Sequence, residues 1–79
     1  MTQTKKQTIP APYMVRRIVG DCHVGQSNRA VIRYFVSRLK GGYRTWAAAP
    51  RNERRQWLRW VIEAHRENGA LYNHVMRGR

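Results

Sequence analysis

Residues 27–42, SNRAVIRYFVSRLKGG, carry the clearest helix signals of the chain. Ser27 is a favourable N-cap residue, and the pair Gly41 and Gly42 permits the positive φ angles at which many helices end. The apolar residues between them sweep a broad arc of a helical wheel, and they are Val31, Ile32, Phe35, Val36 and Leu39. The stretch therefore predicts a largely buried, central helix from about Asn28 to Lys40.

The turn and first half of this helix resemble a known DNA-binding motif. Residues 24–35, VGQSNRAVIRYF, match the turn and recognition helix of helix-turn-helix proteins, whose pattern runs Gly-x-Ser-x-x-[Thr/Ala]-Val-x-Arg before two apolar or aromatic residues. The resemblance implies that a polar strip of the helix enters the major groove. The residues that would then face DNA are Asn28, Arg29, Arg33 and Ser37. Arginine there would read guanine or grip phosphate, and Asn28 would read adenine.

Upstream of Ser27 the chain departs from that motif. The family places an apolar residue and an alanine seven and six residues before its serine, where this chain has Gly20 and Asp21. The nearest apolar pair, Ile18 and Val19, is displaced by two residues. The alternative interpretation is a core helix with a serine cap that follows a glycine turn.

Helical patterns also flank the central segment. A helix from about Pro12 to Cys22 begins where proline is tolerated, and it places its apolar residues on one face. Residues 43–49 predict a loop with a short helical turn, in which Thr45 caps residues 46–49. The longest helix is expected from Pro50 to about Glu67, with Trp57 and Trp60 in the core.

Asn68 and Gly69 are typical of a helix end, so a separate last turn or two is expected over residues 70–76. This turn would pack four of its side chains back on the bundle, namely Leu71, Tyr72, Val75 and Met76. No segment alternates as a half-buried strand does. The sequence therefore predicts an all-α fold, a compact bundle of four or five helices over residues 10–79, preceded by a flexible basic arm over residues 1–9.

Composition limits the class of protein. The chain has 79 residues, 42% of them hydrophobic, which fits one small folded domain and not a disordered polycation. The single cysteine, Cys22, excludes an intramolecular disulfide. The polar residues 1–9 lead us to expect no signal peptide, and no apolar run has membrane-spanning length. We therefore expect a soluble, cytoplasmic protein that does not contact membranes.

No catalytic constellation stands out. Only four acidic residues occur, and Cys22 and His23 are neighbours that would point about 100° apart on a helix. One thiol and three scattered histidines lack the spacing of a zinc site, and the glycines fit no phosphate-binding loop. We expect no enzyme, no metal and no cofactor. His65, at the edge of an apolar helix face, is expected to be a hydrogen-bonded structural histidine.

Charge is the main indication of a partner. Sixteen lysines and arginines oppose four acids, for a formal net charge of +12, and thirteen of the sixteen are arginines. Such a surface attracts polyanions, and arginine suits specific contact with phosphate or guanine. DNA is favoured over RNA, because no RNA-recognition signature is present. Lys40, at the end of the central helix, is also expected to contact nucleic acid. Further contacts are expected from Lys5, Lys6, Arg16 and Arg17.

We therefore expect a small, non-enzymatic DNA-binding regulator. The alternative is a protein-binding inhibitor or adaptor, of the kind that phages or other mobile elements encode, that docks on an acidic surface of a larger host or defence complex. Arginine and tryptophan dominate interface hot spots. The residues that would serve this second function are Arg44, Trp46, Arg51, Arg54 and Arg55. The oligomeric state stays open, with a homodimer as one option.

Overall fold

A computed structural model of the chain describes residues 12–78. Within this range there are four helices and no strand, so the predicted all-α bundle is confirmed. They are α1 (Pro12–Val19), α2 (Asn28–Arg38), α3 (Tyr43–Ala48) and α4 (Arg51–Arg77). The expected basic arm over residues 1–9, with Lys5 and Lys6, lies outside the described residues.

Helix α1 ends three residues before the expected Cys22. The amides of Asp21 and Cys22 bond the carbonyl oxygens three residues back, at 3.1 and 3.0 Å, and not those four residues back. The backbone therefore tightens after Val19 and leaves the α-helix. Residues 20–27 form an irregular linker to α2.

Helix α2 begins as predicted. The Oγ atom of Ser27 accepts a hydrogen bond from the amide of Ala30 at 3.2 Å, so serine is the N-cap. The helix ends at Arg38, two residues earlier than expected, because Leu39 is already extended. The backbone then reverses through Gly41 and Gly42, whose φ angles are +87° and +59°.

Residues 43–48 form a helix, where a loop with only a short helical turn over residues 46–49 was expected. The N-cap of α3 is Gly42, so the prediction that Thr45 caps a turn over residues 46–49 was wrong. The Thr45 hydroxyl instead donates a hydrogen bond to the carbonyl oxygen of Lys40. This side chain therefore fastens α3 to the turn before it.

The predicted break at Asn68 and Gly69 was also wrong, because α4 continues through both residues to Arg77. Glycine inside a helix costs only about 1 kcal/mol relative to alanine, which the hydrogen-bond ladder of a long helix tolerates. The four apolar side chains expected to return to the bundle stay largely exposed, although Tyr72 borders the linker beside Cys22 and His23. Leu71, Tyr72, Val75 and Met76 are 50–62% exposed.

The core lies where α1, α2 and α4 meet. Its buried side chains are Val15, Val19, Val31, Phe35, Leu39, Trp57, Val61 and Ala64. The rings of Trp57 and Phe35 form a T-shaped contact at a centroid distance of 6.3 Å, and Trp57 also packs on Trp46 at 5.4 Å. Trp57 is buried as predicted, and Trp60 is half-buried against the core.

His65 holds the linker against α4. Its side chain is buried, and its Nε2 atom lies 2.9 Å from the carbonyl oxygen of Gln26. The Oε1 atom of Gln26 in turn accepts a hydrogen bond from the amide of His23 at 2.8 Å. The expectation that His65 is a hydrogen-bonded structural residue is confirmed.

Candidate nucleic-acid interface

The polar residues predicted on α2 are solvent-exposed. Three of them, Arg29, Arg33 and Ser37, line one groove between α2 and α3. They share this side of the helix because they are spaced four residues apart. Asn28, at the first position of α2, and Lys40, beyond its end, are exposed but do not line the groove.

The other lining of the groove is apolar and aromatic. Ile32 and Val36 of α2 are half-buried, and Trp46 of α3 is half-buried. Tyr43, at the first position of α3, lines the groove and is 74% exposed. The groove has a volume of about 710 Å³. It therefore combines two guanidinium groups with an apolar floor and an exposed aromatic ring.

The segment that forms the groove carries positive charge without any negative charge. Residues 28–50 contain five cations and no carboxylate, and all five are exposed: Arg29, Arg33, Arg38, Lys40 and Arg44. Within residues 12–78, no carboxylate oxygen lies within 4.0 Å of the Arg29 or Arg33 guanidinium. Like charges four residues apart on a helix are mildly destabilising, so this arrangement does not serve the stability of α2.

The hydroxyl of Ser37 is bonded within its own helix. Its hydroxyl donates to the carbonyl oxygen of Tyr34 at 2.6 Å. A phosphate oxygen needs a donor, and the hydroxyl has only one hydrogen to donate. In this rotamer Ser37 offers only acceptor lone pairs to the groove.

Arg16 and Arg17 of α1 are exposed but lie apart from the α2–α3 groove. Arg16 lines a separate, smaller cleft of about 190 Å³ between α1 and α4, together with Glu63 and Glu67. Its Nη2 atom lies 3.6 Å from Oε1 of Glu67. Both side chains are well exposed, so the pair adds little stability, but it offsets part of the Arg16 charge.

The five residues predicted to bind an acidic protein surface have different environments in the structure. Trp46 lines the groove and packs on Trp57, so it is tied to the core. The Nη1 atom of Arg54 donates to the carbonyl oxygen of Ala47 at 3.3 Å and braces the turn between α3 and α4. The remaining three, Arg44, Arg51 and Arg55, are exposed.

The helix-turn-helix resemblance extends only to α2 and its cap. Residues 20–27 separate α1 from α2, whereas the motif joins its helices by a turn of three or four residues. The displaced apolar pair noted in the sequence reflects this longer linker. The exposed strip of α2 is present, but the short turn that positions a recognition helix is not.

Cys22 has the properties of a structural thiol. It is half-buried and packs against the core. Burial raises the pKa of the Cys22 thiol, and the neighbouring Asp21 carboxylate raises it further. Reactive cysteines need a lowered pKa, so this environment does not activate the thiol. Within residues 12–78, no three potential metal ligands cluster.

Sequence reasoning did not identify Ile32, Val36 or Tyr43 as site residues. The first two were counted as core, and Tyr43 was placed in a loop. The available signal was the Gly41–Gly42 pair, because a short connection makes consecutive helices spatial neighbours. That signal indicates that one side of α2 faces the chain after residue 42.

No helix in the described part of the chain combines the length and the apolar character that crossing a membrane requires. Comparison with known proteins returns no matching family model, no matching curated protein and no matching solved structure.

Proposed function

We propose that this protein is a non-enzymatic DNA-binding protein and that α2 provides its contact surface. The observation that carries the proposal is the unneutralised charge of residues 28–50, which hold five exposed cations and no carboxylate. Phosphate groups supply the negative charge that this segment lacks. Each cation that meets a phosphate releases counterions from the DNA, which favours binding.

Arg29 and Arg33 are the central residues of this surface. A guanidinium forms paired hydrogen bonds with a phosphate or with the O6 and N7 atoms of guanine. Both guanidinium groups are free of carboxylate partners among the described residues, so they bind without first breaking an ion pair. Arg16 has such a partner in Glu67 and contributes less. A regulator of DNA transactions fits this mode of binding.

The test compares two matched double variants. Arg29→Ala/Arg33→Ala removes two arginines four residues apart from α2, and Arg55→Ala/Arg59→Ala removes two exposed arginines at the same spacing from α4. Binding to fluorescent DNA is measured by anisotropy over a range of salt concentrations. We expect the α2 variant to lose more affinity. For two lost phosphate contacts, the slope of log K against log salt should become less steep by about 1.8 on duplex DNA and by about 1.4 on a single strand.

Two results would contradict this function. One is the absence of binding to any DNA at low salt. The other is an equal loss of affinity in the α2 and α4 variants, because charge alone would then explain the binding.

A second proposal is that the protein is an inhibitor or adaptor that docks on an acidic protein surface. It is favoured by the exposed arginines at the start of α4 and by the apolar side chains exposed at its other end, since such patches are typical of protein interfaces. A defined acidic partner should then stay bound after nuclease treatment. Arg51→Glu should release it, and Arg29→Ala/Arg33→Ala should not.

A further inference from the structure

We propose that the groove between α2 and α3 binds an unpaired base of single-stranded DNA, with the adjoining phosphates on Arg29 and Arg33. The inference rests on the proposed DNA binding and specifies the form of DNA that the protein prefers. It follows from the chemistry of the groove, which has aromatic, apolar and cationic parts in separate places.

The aromatic part comes from α3. Tyr43 and Trp46 both line the groove and are three residues apart, so they lie on the same side of this short helix. Trp46 is held in place because its ring packs on the buried Trp57 at a centroid distance of 5.4 Å and an angle of 32°. Tyr43 is 74% exposed, which leaves its ring available for a base. Proteins bind unpaired bases by stacking them on such rings.

The apolar floor favours a base over a phosphate. Ile32 and Val36 offer no hydrogen-bonding side-chain group, so a phosphate or a hydrated sugar placed there would lose its water without compensation. The face of a base is apolar and loses little on burial. At about 710 Å³ the groove is open and large enough to admit planar groups from the side.

The cationic part runs along the α2 side of the groove. Arg29 and Arg33 are one helical turn apart and both line it, so a strand that lies along α2 passes one guanidinium and then the other. Successive phosphates of that strand meet these groups while a base between them turns towards Tyr43. In duplex DNA the faces of the bases are covered by their neighbours, so this combination selects an unpaired strand.

The test uses three DNA probes of equal length: oligothymidylate, an abasic strand with the same phosphates, and a duplex that contains the oligothymidylate. Affinity is measured by fluorescence anisotropy at one salt concentration. We expect the wild-type chain to bind oligothymidylate at least about fivefold more tightly than the abasic strand, the lower limit for stacking one base. The single strand should also bind more tightly than the duplex.

Tyr43→Ala should remove most of the difference between oligothymidylate and the abasic strand, and Tyr43→Phe should retain it because the ring remains. Tyr13→Ala is the matched control, since Tyr13 is 72% exposed and lies on α1, away from the groove. Both tyrosines are exposed, so neither alanine variant should unfold the bundle. Circular dichroism checks this directly.

Three results would overturn the inference: equal affinity for the abasic strand and oligothymidylate, tighter binding of the duplex, or no effect of Tyr43→Ala. Displacement of oligothymidylate by polyglutamate of equal charge at the same concentration would also overturn it, because the groove would then be a site for acidic peptides. In each of these cases DNA binding itself survives. Failure to bind any of the three probes at low salt would instead contradict the proposed function.

Discussion

The Nε2 atom of His65 donates a hydrogen bond to the carbonyl oxygen of Gln26 over 2.9 Å, and this bond joins α4 to the linker before α2. A carbonyl oxygen can only accept, so Nε2 carries the proton of this bond. His65→Ala leaves the carbonyl group without this partner and opens a small cavity. We expect the free energy of unfolding to fall by about 1–3 kcal/mol, measured by urea denaturation.

The control for this change is His74→Ala, because His74 is exposed on the same helix. It should change the stability by less than about 0.5 kcal/mol. Equal effects of the two substitutions would show that the bond to Gln26 does not hold the linker.

Trp57 provides a second test, because its indole N–H is buried and has no acceptor among residues 12–78. Such a donor costs about 1–3 kcal/mol in the folded state. Trp57→Phe removes the donor and part of the ring volume, so the gain and the cavity cost oppose each other. We expect a small net change, against a loss of about 3–5 kcal/mol for Trp57→Ala. Thermal unfolding followed by circular dichroism would separate the two.

If Trp57→Phe were as destabilising as Trp57→Ala, the indole N–H would have to be bonded in solution. In the phenylalanine variant, the ring of Trp46 should pack on the new phenylalanine ring. Retained DNA affinity in that variant would then indicate that the groove keeps its shape.

Gly69→Ala should stabilise the protein. Gly69 lies inside α4, and a Cβ atom there would meet Cγ1 of Val24 at 3.8 Å, an ordinary van der Waals distance. Alanine is favoured over glycine in a helix interior by about 1 kcal/mol. We expect a gain of about 0.5–1 kcal/mol in urea denaturation. A lower free energy of unfolding would mean that α4 is bent or not helical at Gly69 in solution.

Gly41→Ala should have the opposite effect and serves as the contrasting variant. The φ angle of Gly41 is +87°, and a Cβ atom would lie 2.5 Å from Oγ1 of Thr45. The substitution therefore adds backbone strain, typically 1–3 kcal/mol, to a steric clash. Adding Thr45→Ala removes the clash and should recover part of the loss.

Cys22 should react slowly with alkylating reagents. Because burial and then the Asp21 carboxylate raise its pKa, the folded chain holds a smaller thiolate fraction than an ordinary thiol at the same pH. The pH at which the alkylation rate reaches half its maximum should be higher in the folded chain than in the chain unfolded by guanidinium. Asp21→Asn should move it part of the way back, since burial is the larger cause. An unchanged midpoint would contradict this account of the thiol.

The sequence predicted those features that depend on interactions between residues close together in the chain. Ser27 caps α2 because its side chain bonds an amide only three residues away. Gly41 and Gly42 form the reversal that follows the helix because their backbone angles suit few other residues. Asn68 and Gly69 carry a similar local signal, yet α4 passes through them. A glycine permits a helix end but does not impose one, and the helix around it decides.

The groove depends on contacts that no local pattern contains. Thr45 was expected to cap a turn, but its hydroxyl bonds Lys40 across the reversal and sets α3 beside α2. Only this arrangement brings Tyr43 next to Arg29 and Arg33. The arginines themselves were predictable because their spacing on α2 follows from the helical period. Their aromatic neighbours come from a different helix.

Helix α4 is uniform in geometry but not in the forces that maintain it. Up to His65 it is held by burial against α1, α2 and the linker, whereas all residues from 70 to 78 are exposed. Among these residues, Tyr72 and Asn73 border the linker beside Cys22 and His23. Helical turns with little tertiary burial are marginal in water, so we expect the amides of the last turns to exchange with solvent first. A partner that covers Leu71 and Val75 would add the burial that these turns lack, and binding at that end of the molecule would stabilise the helix locally.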